Sequence, residues 1–103
     1  MQHHKLVRDL IPQLIEEDGN ETRTRILENE EYFQALKNKL KEEVDEYLES
    51  EDHEELADIL EVIRALLDMH VITYDELEIT RRRKLEENGG FTERIYPEEV
   101  IEN

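Results

Sequence analysis

A chain of 103 residues with 41% charged residues and a net charge of −16 suggests one small domain with a modest core. That charge repels nucleic acid polymers and anionic membranes, so an anionic ligand needs a local patch of Lys or Arg, or a bridging metal. Cysteine is absent, which excludes disulfides and thiolate chemistry, and no apolar run reaches the length of a signal peptide or a membrane span; a soluble cytoplasmic protein is the expectation.

The pattern predicts helices with few interruptions, because Pro12 and Pro97 both lie near the ends. A short first helix is expected from about Leu10 to Glu17, with Asp9 as N-cap, Pro12 in the tolerant first turn and Gly19 beyond its end. Asn20 to Leu27 reads as an extended loop. A second helix follows from about Glu30 to Glu49, capped by Asn29. Ser50-Glu51-Asp52 forms a turn into a third helix, from about His53 to Met69. His70 to Thr73 is a connector, and Thr73 with Glu76 has the spacing of a capping box for a fourth helix ending near Asn88. Gly89-Gly90 closes that helix, and Phe91 onward is an extended tail.

At about 100° per residue, Tyr32, Leu36, Leu40 and Tyr47 share one arc of the second helix, with Phe33 and Val44 beside it. Glu43 falls inside this arc and Glu46 at its edge. Ile59, Val62 and Leu66 share an arc of the third helix, where Glu55 falls inside and Asp58 at the edge. A tight turn makes the two helices antiparallel. Glu46 is then expected level with Asp58, and Glu43 offset from Glu55 by roughly 7 Å of axial rise. Facing carboxylates in such a seam repel one another and lose hydration. A hard divalent cation resolves the conflict. Oxygen-only ligands favour Mg²⁺ or Mn²⁺, whereas di-iron bundles add Glu-x-x-His pairs that this chain lacks. Two ordinary readings compete. Glu55 has the spacing to close a capping box with Asp52, and Glu42 and Glu46 can be solvated surface charge in so acidic a chain.

Three segments carry a resemblance. KLVRDLIP (Lys5 to Pro12), KEEVDEYLE with ELADILEV (holding Glu42, Glu43, Glu46, Glu55 and Asp58), and KLEENGGF (Lys84 to Phe91) occur in that order over nearly the whole chain. Together the chain resembles the MazG-like NTP pyrophosphohydrolases, in their phosphoribosyl-ATP pyrophosphohydrolase-like branch. The resemblance implies an all-α, four- to five-helix antiparallel bundle with a short extended C-terminal tail. It implies Mg²⁺-dependent hydrolysis of a nucleoside triphosphate to the monophosphate and pyrophosphate, in some members as removal of non-standard nucleotides. It makes Glu43, Glu46, Glu55 and Asp58 the metal ligands, with Glu42 supporting them or positioning the attacking water. Two departures stand out: the stretch between Glu46 and Glu55 is shorter than usual, and Asn88 stands where Arg is frequent.

Pyrophosphohydrolysis needs neutralised phosphates, an oriented and deprotonated water, and cations for the leaving group. Glu42 or Glu46 can accept the proton from water. The basic residues flank the acidic hairpin in sequence: Lys5, Arg8, Arg23 and Arg25 precede it and Arg81 to Lys84 follow it. Lys84 is the first candidate for a phosphate contact, followed by Arg8 and Lys5, and Asn88 can bond a nucleotide or merely cap its helix. The ordinary reading of Arg81 to Lys84 is complementation of a helix dipole or pairing with surface acids, and that of Arg8 an ion pair with Asp9 or a neighbouring helix. Tyr47 and Phe91 suit a core more than a base stack. His53 and His70 read as structural, and His3 and His4 as a terminus without chemistry.

Two further functions remain open on the sequence: a nucleotide- or metal-binding regulatory module without turnover, and a helical oligomerisation protein whose acids are surface charge. An apolar arc on both flanks of Glu43, with few helices to cover it, leads to the expectation of a homodimer or homotetramer.

Overall fold

The computed structural model describes residues 5–103; His3 and His4 lie outside the described residues. These are helical throughout their regular structure, with α1 at Ile11–Glu17, α2 at Asn29–Ser50, α3 at Glu54–Met69 and α4 at Tyr74–Asn88, and among them there is no strand. No helix among them is long and apolar enough to cross a membrane. The chain forms two compact units, Met1–Val71 and Ile72–Asn103.

In the first unit α2 and α3 pack against each other. Leu36 on α2 with Val62 and Leu67 on α3 are the buried apolar side chains among the described residues. Leu40, Val44, Tyr47, Ile59 and Leu66 are half-buried. The predicted arcs are therefore the packed faces, with Leu67 added to that of α3. Acidic Glu30 and Glu31 in the first turn of α2 suit its positive end. Arg25 grips Glu31 through its two terminal guanidinium nitrogens, Nη1 and Nη2, at 3.2 and 2.7 Å, which ties the preceding loop to that turn. The expected side-chain caps do not form at α1 or α2: Leu10 and Glu28 hold those N-cap positions, and neither side chain makes a capping bond.

The turn between α2 and α3 is made by polar groups bonding locally. Glu51 adopts a left-handed conformation (φ 57°) and donates its N–H to Tyr47 O at 2.7 Å, which ends α2. Asp52 Oδ1 accepts from Glu54 N at 2.9 Å, and Ser50 Oγ accepts from Asp52 N at 3.1 Å. With only Glu51 to His53 between them, two helices that pack along each other run antiparallel. His70 sits edge-on to Phe33, with ring centroids 5.8 Å apart. Val71 then takes φ 56°, a conformation that a β-branched side chain rarely adopts.

In the second unit Thr73 Oγ1 accepts from Glu76 N at 3.1 Å and starts α4 as its spacing predicts. The Glu76 carboxylate accepts from the Thr73 hydroxyl at 3.2 Å. Gly89 donates its N–H to Leu85 O at 2.8 Å and holds φ 81°, so it is the C-cap. Phe91 is 97% exposed, which corrects its expected core role; the tail beyond it has no regular structure.

Candidate metal centre

Glu43 projects from α2 into the seam with α3 because it stands at nearly the same helical phase as Leu36, two turns on. It is 7% exposed, the one buried charged residue among those described. Its Oε2 is buried and has no hydrogen-bond partner. Burial is the main force raising its carboxyl above the usual glutamate range; Glu46 adds to this, and Lys39 opposes it.

Two triads of carboxylates meet at this residue. Glu43, Glu55 and Asp58 have ligand atoms within 4.8 Å of one another, and so do Glu42, Glu43 and Glu46. Either group can hold a metal ion. The donors are all hard carboxylate oxygens, as Mg²⁺ and Mn²⁺ require. The buried oxygen of Glu43 gives a separate test of fit, because leaving such an atom unbonded costs about 1–3 kcal/mol and a cation at that position removes the cost. Glu55 is also raised, first by burial, then by Asp58 and Glu43. Glu46 is exposed at the rim, as its edge position predicts, and Glu55 and Asp58 are half-buried.

Glu46 and Asp58 fall in separate triads, and the side chains of Glu43 and Glu55 bring ligand atoms within 4.8 Å of each other. Level along the helices is not decisive here. Glu46 and Asp58 each lie at the edge of their own helix, while Glu43 points into the seam and reaches both partners. The capping reading of Glu55 is also resolved: Asp52 caps the Glu54 N–H with its side chain, while the Glu55 carboxyl is turned to Asp58, Glu43 and Glu46.

Cations already stand beside the acids. Arg8 Nη2 lies 2.7 Å from Asp58 Oδ1, and Lys5 Nζ lies 3.4 Å from Glu42 Oε1. Two of the expected phosphate contacts are thus brought to the candidate centre, each now paired with a carboxylate. Lys84 and Asn88 belong to α4 in the second unit. There the run Arg81 to Lys84 precedes the last turn of the helix, so dipole complementation does not explain it. Arg81 and Arg82 pair with Glu78, which is lowered to about 2 chiefly by its hydrogen bond from Arg81. Arg83 pairs with Glu87 at 3.9 Å.

Sequence reasoning missed Lys39. Its Nζ lies 3.3 Å from Glu42 Oε2 and 3.4 Å from Glu43 Oε1. The signal was present: Lys39 is three residues before Glu42 and four before Glu43, and helical spacing places such residues side by side. Comparisons with protein-family models, with curated proteins and with solved structures find no match.

Proposed function

We propose that this chain is a divalent-metal-dependent pyrophosphohydrolase that cleaves a nucleoside triphosphate to the monophosphate and pyrophosphate, with a MazG-like helical bundle as its scaffold. The observation that carries the reading is Glu43: a carboxylate buried between two helices, one oxygen unbonded, with Glu55 and Asp58 within 4.8 Å. Glu43, Glu46, Glu55 and Asp58 would hold Mg²⁺, or Mn²⁺ in its place. A bound ion supplies charge neutralisation for the phosphates and a more acidic water.

The side chains divide the remaining work. Glu42 accepts on separate oxygens from Lys5 at 3.4 Å and Lys39 at 3.3 Å. Glu46 is exposed, so its carboxylate has open access to water and is the better proton acceptor of the two. Lys5 and Arg8 lie within bonding distance of the acids and can turn to the leaving phosphates. Lys84 and Asn88 remain candidates for nucleotide contact on the sequence pattern. The ligand class is a nucleoside triphosphate, and the working form is a homodimer or homotetramer.

A second reading, a binding module without turnover, draws on the ion pairs just described, since three cations partly neutralise the acids. One experiment separates the two. Purified protein is assayed for pyrophosphate release from standard, deoxy and modified triphosphates, with and without Mg²⁺ or Mn²⁺. Metal-dependent release is expected from at least one triphosphate, with a loss of at least about a hundredfold in Glu43→Ala and Asp58→Ala. Nucleotide binding without release across the panel would establish the module instead.

A further inference from the structure

Lys39 brings an ammonium group into the carboxylate cluster from within the same helix. Its side chain is 20% exposed, and its Nζ contacts Glu42 Oε2 and Glu43 Oε1. These residues are two of the three in the triad completed by Glu46. A divalent ion held by that triad and the Lys39 ammonium therefore claim the same oxygens. The lysine's hold is weak for a charged pair. Contacts of 3.3 and 3.4 Å exceed the about 2.7–2.9 Å of a strong charge-assisted bond. A Lys placed four residues before a Glu is also the less favourable order on a helix. One ammonium does not satisfy Glu43, whose Oε2 stays unbonded. Lys39 also borders an open groove of about 570 Å³ lined by Lys5, Lys41 and Asn38 and by the carboxylates Glu42, Asp45, Glu46 and Glu49, so a phosphate chain is repelled there until a cation neutralises those acids. Four rotatable bonds let its ammonium reach either place.

We propose that Lys39 is an exchangeable counter-cation: it occupies oxygens of Glu42 and Glu43 until a divalent ion takes them, then turns into the groove and holds the phosphate chain of the ligand. The inference rests on the reading of the cluster as a metal site and deepens it. It makes the order of loading a property of one side chain, with metal first and polyphosphate second. Removing the ammonium has opposite effects on the two ligands, which a purely structural lysine does not produce.

The test uses the full chain without nucleotide. Mn²⁺ is titrated calorimetrically into the parent, K39M, K39R and K41M. Inorganic tripolyphosphate is then titrated into each of the first three with Mn²⁺ in excess. K39M is expected to bind Mn²⁺ about tenfold more tightly, the worth of one charge-assisted hydrogen bond. It is expected to bind tripolyphosphate about tenfold more weakly for the same reason. K39R keeps the charge and stays within about threefold of the parent for both. K41M controls for net charge, since Lys41 is 79% exposed on its side chain and pairs with Asp45. Mn²⁺ binding by K39M no tighter than by K41M overturns the proposal, and so does unchanged tripolyphosphate binding. Should K39M fail to fold, K39Q is held to the same two outcomes. A parent that binds no Mn²⁺ overturns the metal site and this proposal together. Mn²⁺ binding with the expected K39M pattern but no pyrophosphate release overturns the hydrolase reading alone.

Discussion

Glu43 is kept in an environment that disfavours its charge, and the sign of the effect can be measured. Its folded carboxyl is raised above the 4.5 of an ordinary glutamate, first by burial and then by Glu46. Between those two values the folded chain holds more protons than the unfolded one. Stability from this group is therefore fully present below pH 4.5 and is lost as pH rises through the folded value. Glu43→Gln removes the charge and keeps a hydrogen-bonding head of the same shape. In metal-free buffer at pH 7 the variant is expected to be more stable by about 1–3 kcal/mol. Its advantage should vanish near pH 4, as followed by thermal melts across that range. Excess Mn²⁺ should reverse the order by stabilising the parent alone. A parent that gains stability steadily from pH 4 to pH 7 relative to the variant would contradict this account. The phase of Glu43 on its helix made the burial legible, because Leu36, Leu40 and Tyr47 define the same arc. Lys39 borders that arc, but a lysine there is hard to tell by phase alone from one that turns outward to solvent.

At the scale of elements, the helices and the tight turn between α2 and α3 were readable from the sequence, and the meeting of their edge carboxylates was not. The boundaries of α2 and α3 fall within one residue of those expected, and Thr73 caps α4 as its spacing suggests. Which carboxylates meet depends on how each side chain leaves its helix, which an average wheel does not resolve for edge residues such as Glu46 and Asp58. The turn also carries a cost. Glu51 stands in a left-handed conformation that costs a non-glycine residue about 1–2 kcal/mol. Glu51→Gly is expected to return about 1 kcal/mol of that, less the entropy that glycine gives the unfolded chain. A higher melting temperature with unchanged Mn²⁺ affinity would show that the turn closes the hairpin without tuning the ligands. A lower one would mean that the Glu51 side chain contributes a contact greater than its backbone penalty.

For the molecule as a whole, the balance of surface and core is unusual. Leu36, Val62 and Leu67 are the buried apolar side chains among the described residues, while Leu48, Leu56 and Leu60 of the hairpin are 67%, 47% and 42% exposed. A core this small gives little stability to a free chain. Self-association would cover part of the leucine surface, and it predicts a melting temperature that rises with protein concentration. Sedimentation equilibrium at micromolar concentration should give a mass of at least two chains. A single-chain mass with a concentration-independent melt would remove the oligomer from the account. Helical class was open to sequence reading because prolines are confined to the ends and apolar residues recur at helical spacing. The association partner was not, since exposed leucines do not by themselves say what they meet.

The two carboxylate triads have Glu43 as a common vertex. A cation drawn to one of them spends part of the negative potential that would attract another, so saturation should come in unequal steps. Occupancy of the second position then depends on what negative charge the guest molecule brings with it. On the proposed nucleotide reading, the hairpin in that state would respond to the number of charges on its guest before any nucleobase is recognised.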